Sequence, residues 1–368
     1  MAFASHLELR RSICASLILL AACGGGGDGG SMMSSGYVAT SLVSDVNSSS
    51  NPYSSPNIDA HLVNPWGIAF NPQGFVWVAN NATSTSTLYD GNGMPQSLVV
   101  AIPAGSAGPA KPTGIVFNAS QGFQVSQGGV TGASPFIFAG EAGTIAGWAP
   151  NVNLTNAITV FDGAASGKIY KGLAIGSQAG AGRLFAADFH NGTVDVFDSN
   201  FAPVATAAGF VDATLPAGYA PFGIQVIGSL VYVAYAKQDA AQEDEVTGAG
   251  LGIVNTFDFS GNLVKRLIPA GGKLNAPWGI VMAPANFGPF SSALLIGNFG
   301  DGRINAYDAS TGASLGTLST PGGTPIAIDG LWGIAFGNGI NGQPVNTLFY
   351  AAGPADETHG VYGRIDPQ

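Results

Sequence analysis

The sequence predicts an all-β fold: a six-bladed β-propeller of four-stranded antiparallel blades, the last blade closed by an N-terminal strand. Two observations carry that expectation. A short phrase recurs six times, as Asn64-Pro65-Trp66-Gly67-Ile68, Lys111-Pro112-Thr113-Gly114-Ile115, Tyr170-Lys171-Gly172-Leu173, Ala220-Pro221-Phe222-Gly223-Ile224, Ala276-Pro277-Trp278-Gly279-Ile280 and Gly330-Leu331-Trp332-Gly333-Ile334. Its glycines are 47, 58, 51, 56 and 54 residues apart. A period near 50 residues with strand-like content marks a propeller blade. Secondly, each phrase is followed by short apolar runs bounded by Gly, Asn, Asp or Pro, the pattern of strands buried between sheet faces.

Composition agrees. Of 368 residues, 46% are hydrophobic and only 9% charged, with 55 glycines and 22 prolines. The glycines stand at the ends of apolar runs, where an all-β chain needs tight turns. A formal charge of −10 offers no basic patch to displace phosphate counterions, which argues against nucleic acid as a partner.

Along the chain, residues 1–22 read as a signal peptide. Arg10-Arg11 precede an apolar run, Ile13 to Ala22, too short to span a bilayer. The run ends in Leu20-Ala21-Ala22-Cys23, which resembles the bacterial lipobox and implies cleavage before Cys23 and lipidation of its thiol. Cys14 leaves with the signal and Cys23 carries the lipid, so no thiol remains for a disulfide or a nucleophile. Cleavage also removes Glu8, Arg10 and Arg11, moving the formal charge from −10 to −11. Residues 23–36 form a Gly/Ser-rich tether, with a reach of roughly 20 Å. Gly24 after the lipid cysteine favours, by the same resemblance, the outer membrane or cell surface of a bacterium. The propeller is expected to occupy residues 37–368 as a monomer, with the membrane as a partner through the lipid.

Within the blades, the fifth repeat divides into Trp278–Ala283, Ala293–Asn298, Arg303–Tyr307 and Ser314–Leu318. The third divides into Lys171–Gly176, Arg183–Asp188, Thr193–Phe197 and Pro203–Gly209. The sixth supplies only three runs, Trp332–Phe336, Thr347–Ala352 and Val361–Ile365. The unassigned run Tyr37–Asp45 is therefore expected to complete it and hide an open sheet edge. The phrase glycines are expected where the inner strands crowd the axis, with Trp66, Trp278, Trp332 and Phe222 filling wedges between blades.

The blade pattern Pro-x-Gly-Ile, then Val-Trp-Val-Ala-Asn or Leu-Phe-Ala-Ala-Asp, then Val-Asp-Val-Phe-Asp, resembles the NHL repeat of six-bladed propellers. Longer stretches, such as Ala187-Asp188-Phe189-His190-Asn191-Gly192-Thr193 and Gly297-Asn298-Phe299-Gly300-Asp301-Gly302-Arg303, are similar to a bacterial family of exported NHL-like propeller proteins. Some of its members carry a C-terminal exosortase-type sorting signal. The resemblance covers Tyr37 to Gly363 and implies a fold and an export route, but no activity. The chain departs from the sorting-signal members by ending at Gln368 without a hydrophobic tail, and the N-terminal lipid would replace that anchor.

The two rims of such a ring differ. Asp90, Asp198, Asp258 and Asp308 follow the third strands and open Gly-, Asn- or Ser-rich turns, where Asp accepts from local backbone N–H groups. The loops after the second strands are longer and more polar. They hold Asn80, Asn81, Glu141, Asp188, His190, Lys237, Gln238, Asp239, Asn298, Asp301, Asp356 and Glu357, the expected ligand-binding rim. The acidic loop 239–245 reads either as solvated or as a flap over the axis ordered by Ca²⁺ or a basic partner; alternatively, Lys237 could pair with Asp188 or Glu141 across the rim.

Two functions are open at this point. One is a cell-envelope binding or scaffold module holding a protein, peptide or glycan at the acidic rim, with no cofactor. The other is a Ca²⁺-dependent hydrolase or lactonase. It would bind metal at Asn80, Glu141, Asp188 and Asn298, with His190 or His359 as general base.

Overall fold

The computed structural model describes residues 35–47, 55–178 and 180–368. The signal peptide, Cys23 and the tether up to residue 34 lie outside them. The strands form six antiparallel blades, each beginning at the axis with one copy of the phrase. Blade one is Pro65–Phe70, Val76–Asn80, Thr85–Tyr89 and Val100–Ala101; blade two is Pro112–Phe117, Phe136–Gly140, Thr144–Trp148 and Ile158–Asp162. Blade four runs through Tyr219–Ile227, Leu230–Gln238, Ile253–Phe257 and Leu263–Ile268; blade five through Pro277–Met282, Leu294–Asn298, Ile304–Tyr307 and Ser314–Thr317.

Blade six joins the two ends of the ring. Leu331–Phe336, Leu348–Ala352 and Val361–Pro367 are completed by Tyr37–Ser44, paired antiparallel from Tyr37↔Pro367 to Ser44↔Val361. The expected closure is therefore present. Tyr37 also stitches blade six to blade five. Its hydroxyl donates to the Phe287 carbonyl at 2.9 Å and accepts from Phe290 N–H at 2.9 Å.

Blade three departs from the expectation. Tyr170–Gln178, Ala181–Asp188 and Thr193–Asp198 form a three-stranded sheet, and Pro203–Gly209 is not its fourth strand. Only a Phe197↔Pro203 bridge and a 2.8 Å bond from Val204 N–H to the Val196 carbonyl remain. Pro203 has no N–H to donate, and Ala205, Ala207, Ala208 and Gly209 lack the branched side chains that favour strands. Blade two adds a feature the sequence did not announce, a hairpin of Gln124–Gln127 and Val130–Ala133.

The core is divided among the blades in rotation. One apolar cluster lies at each of the six blade interfaces, from Trp77, Phe136 and Trp148 between blades one and two to Val43, Val78 and Phe349 between six and one. A seventh cluster sits on the axis: Trp66, Trp332, Phe222 and Phe189, with Trp278 and Phe299 against it. The phrase aromatics thus plug the axis instead of filling the inter-blade wedges. The cause is a register shift in the inner strand, between Pro65 and Ile68, Pro221 and Ile224, Pro277 and Ile280, and Leu331 and Ile334. A bulge of this kind re-aims the side chain it carries. Trp66 and Trp332 stack with centroids 3.5 Å apart, and Trp278 meets both edge-on at 6.0 Å.

The phrase glycines do what their position suggested. A Cβ at Gly67 would stand 2.7 Å from the Thr113 carbonyl oxygen of the next blade, and one at Gly172 2.7 Å from that of Phe222. The pattern continues around the ring, Gly114 against Leu173, Gly223 against Trp278, Gly279 against Trp332 and Gly333 against Trp66. Below this collar the isoleucines that follow the glycines, with Leu173, line an axial cavity of about 80 Å³.

Candidate functional site

The aromatic plug has one member of a different kind. At the phrase position of Trp66, Phe222, Trp278 and Trp332, blade three carries Lys171. Its side chain is only 1% exposed. The ammonium lies 5.2 Å from the centroid of the Trp66 ring, a cation–π distance. The Trp278 indole N–H donates to the Lys171 carbonyl at 2.7 Å, so the backbone of this residue is held as firmly as its head group.

Carboxylates cover the other side of the ammonium. Nζ of Lys171 donates to Glu141 Oε1 at 2.5 Å and to Asp244 Oδ1 at 3.0 Å. Glu141 is aimed by Asn81, whose Nδ2 donates to Glu141 Oε2 at 3.2 Å and to the Lys111 carbonyl at 3.2 Å. Asp244 arrives from the acidic loop, which is a hairpin: Glu245–Val246 pairs back onto Lys237 and Gln238. Gln238 ties this hairpin to blade three, donating to the Phe189 carbonyl at 2.6 Å. His190 adds a contact from Nδ1 to the Gln242 carbonyl oxygen at 3.3 Å.

Two more acids face the same charges. Burial raises the Glu245 carboxyl to about 8; the Lys171 ammonium lowers it, while Glu357 and Asp244 add to the rise. Glu357 is likewise raised, chiefly by burial, with Asn64 opposing and Glu141 and Asp244 adding to it. Burial would depress Lys171, but Glu141, Glu245 and Asp244 outweigh it and hold the ammonium above its ordinary value. Backbone strain presents Glu357: Ala355, Asp356 and Glu357 all adopt left-handed conformations, with φ of 56°, 52° and 62°. Strain of this kind concentrates at functional sites. Among the described residues, one carboxylate oxygen of Glu357 is buried without a hydrogen-bond partner, as is the indole nitrogen of Trp66.

The structure gathers part of the expected rim and scatters the rest. Asn81, Glu141 and Glu357 belong to the axial site, with Gln238 and His190 bracing it. Asn80 instead donates to Thr85 and Thr87 inside blade one. Asp188 accepts from Lys168 at 3.2 Å and from Asn191 at 2.9 Å, within blade three and its loops. Asn298 donates to Asp301 and to the Lys273 carbonyl in blade five, and Asp301 also caps the N–H of Arg303. The four oxygen donors considered for Ca²⁺ are thus each engaged in a separate local network. Asp239 closes its own hairpin, accepting from Glu243 and Asp244 N–H groups, and Asp356 is exposed.

Two further expectations change and a third holds. Lys237 does not reach Asp188 or Glu141; it lies 5.9 Å from the Tyr219 ring, and Lys168 and Lys171 make those pairs. His359 bonds Asp45 at 2.8 Å and so fastens the closing strand. The aspartates of the opposite rim are turn caps, as expected: Asp308 accepts from Ser310 and Thr311 N–H groups, and Asp90 from Asn92 and Met94.

Lys171, the centre of the site, and Asp244, Glu245 and Asn64 all lie outside the ligand-binding set expected from the sequence. One signal was available: a charged residue stood at a phrase position that is aromatic in four other blades.

Fold and site together define a six-bladed β-propeller with a plugged axis and a charged axial mouth. The chain is 35% identical over 317 residues to "Uncharacterized protein R648" of Acanthamoeba polyphaga mimivirus, covering 83% of this chain and 76% of that protein. It is 33% identical over 315 residues to "Uncharacterized protein L690" of the same virus, covering 83% and 81%. The chain belongs to the family of these mimivirus proteins. No protein-family model matches it. Among solved structures, the soluble aldose sugar dehydrogenase of Escherichia coli in its apo form superposes with a TM-score of 0.50 at 14% identity, covering 90% of this chain and all of that one. That likeness concerns the fold alone.

Proposed function

We propose that the protein is an exported, lipid-anchored propeller that acts as a cell-envelope binding module, holding its ligand at the axial mouth of the acidic rim. The observation that supports this reading is Lys171. An ammonium is buried on the axis, braced by Glu141 and Asp244, above an aromatic floor that closes the channel. A structural core gains little from such a group, because burying a charge is expensive unless it is paired and hydrogen-bonded. The anchor rests on the Leu20-Ala21-Ala22-Cys23 motif, and Cys23→Ser should release the protein from membranes.

The binding role is tested by screening the protein against cationic, neutral and anionic peptides and a glycan panel, using the fluorescence of the axial tryptophans. Binding that is lost in Lys171→Met, with the melting transition kept cooperative, supports the rim reading. Failure of every ligand class, or binding indifferent to Lys171→Met, overturns it.

A further inference from the structure

We infer that the outer edge of blade three docks an uncharged, extended peptide segment of a partner, which completes the blade by strand addition. The site lies apart from the axial mouth and does not depend on it.

The path of the chain leaves this edge open. After Val204 the segment that would form a fourth strand departs for blade four. There Ala208 N–H donates to the Ser260 carbonyl at 3.3 Å, and Phe210 enters the apolar cluster between blades three and four. Asp198 N–H donates to the Ala202 carbonyl at 2.9 Å, and the Val196 carbonyl accepts from Val204, so the even-numbered residues of Thr193–Asp198 turn their main-chain groups outward. Among the described residues, the N–H of Val196 and both the N–H and C=O of Val194 have no hydrogen-bond partner. In front of them lies a groove of about 690 Å³, walled by Phe161 of blade two, by Lys168 and Asp195, and by Val204 and Ala205 of the diverted segment.

Two observations make a strand the occupant. Open N–H and C=O groups at every second residue are what an added strand pairs with, giving affinity through the main chain. The edge also lacks the devices by which folded proteins discourage such pairing. The outermost strands of blades two, four and five each pair with their neighbour through a register shift, whereas the six pairs between Thr193–Asp198 and Ala181–Asp188 run without one. Neither Pro nor Lys occurs between Thr193 and Asp198. Blade six shows that a remote strand can complete a blade here, since Tyr37–Ser44 pairs antiparallel to Val361–Pro367.

The charges of the groove select a neutral segment. Asp195 Oδ2 accepts from the Tyr170 hydroxyl at 2.6 Å and from Lys168 Nζ at 2.5 Å, and Lys168 also pairs with Asp188 at 3.2 Å. The charged side chains of the lining are thus committed to one another. An ionic side chain brought in by the partner would lose water and find no counter-ion.

The test uses the acetylated, amidated octapeptide of Tyr37–Ser44, Tyr-Val-Ala-Thr-Ser-Leu-Val-Ser, which is uncharged and already forms a strand in this molecule. Calorimetry should detect its binding to the full chain, and hydrogen exchange at the Val194 and Val196 amides should slow at least tenfold at saturation. Two copies of the peptide N-methylated at alternate residues, one in each phase, should separate, the phase that blocks the edge-facing amides binding at least tenfold more weakly. Val194→Pro removes one outward N–H and no bond to the neighbouring strand, and should weaken the peptide at least tenfold. Lys171→Met should leave it unchanged, which separates this site from the axial one. Absence of binding, equal binding of both N-methylated copies, or protection at Val361–Pro367 in place of Val194 and Val196 overturns the inference. Dimerisation of the chain that Val194→Pro abolishes would assign the edge to a second copy and overturn it as well.

Discussion

Gly333 of the sixth blade packs against the carbonyl of Trp66 in the first, and so completes a collar of six glycine contacts around the axis. Each inner strand approaches the next so closely that there is no room for a Cβ. The collar sets the diameter of the ring, which explains why the six phrases keep Gly even where the aromatic is replaced.

Replacing Gly223 by alanine should therefore be costly, because the new methyl would overlap the Trp278 carbonyl. A destabilisation of about 2–3 kcal/mol is expected. Gly272→Ala is the control, since a Cβ there meets nothing within 4 Å. Paired denaturant melts decide the matter; equal midpoints would show that the inner strands can part without cost.

Removing residues 37–47 strips blade six of the strand paired to Val361–Pro367. The melting temperature should drop by about 10 °C or more, and the bared edge should promote association. Thermal melts and light scattering on the deletion protein would report both, and an unchanged melt would mean that blade six is stable with three strands.

Stability should fall as pH rises through neutrality. The Glu245 carboxyl is raised to about 8 in the folded protein, above the value of about 4.3 for an unstructured glutamate. The folded state thus holds this proton more tightly than the unfolded state does. Its contribution is complete below about pH 4 and is lost as pH climbs through about 8. Glu245→Gln should flatten the profile, gaining about 2–4 kcal/mol relative to the parent at high pH. Parallel profiles for the two proteins between pH 5 and 9 would contradict the assignment.

His359 should behave as a fastener. Its Nδ1 bonds Asp45, and Asp45 also accepts from Gly360 N–H at 3.0 Å. His359→Ala should cost about 1–2 kcal/mol and leave ligand binding at the mouth intact. A variant of wild-type stability that no longer binds would return His359 to the site.

Most of the fold was legible because its determinants repeat. The phrase, the Asp-capped turns and the unassigned run Tyr37–Asp45 each had a counterpart elsewhere in the chain, so a single sequence supplied its own comparison. What was not legible depends on direction. A bulge at Trp66-Gly67 turns the indole onto the axis, and nothing in the letters distinguishes that from a side chain aimed between blades. Asn80, Asp188 and Asn298 were placed correctly at strand ends, but their side chains are committed to Thr85, Lys168 and Asp301. Lys171 was hidden by its own register. It reads as a degenerate copy of the phrase, although the substitution of a charge for an aromatic is the informative event.

The pairing of Tyr37–Ser44 with Val361–Pro367 also orders events during synthesis. The first strand of the ring has only the short parallel pairing of Val43 and Ser44 with Asn57–Ile58 until Val361–Pro367 has been made. Five blades can assemble behind the ribosome while one edge of this early segment stays open. Ring closure is then a late checkpoint: products that stop short of Val361–Pro367 would keep an open edge by which quality control can recognise them.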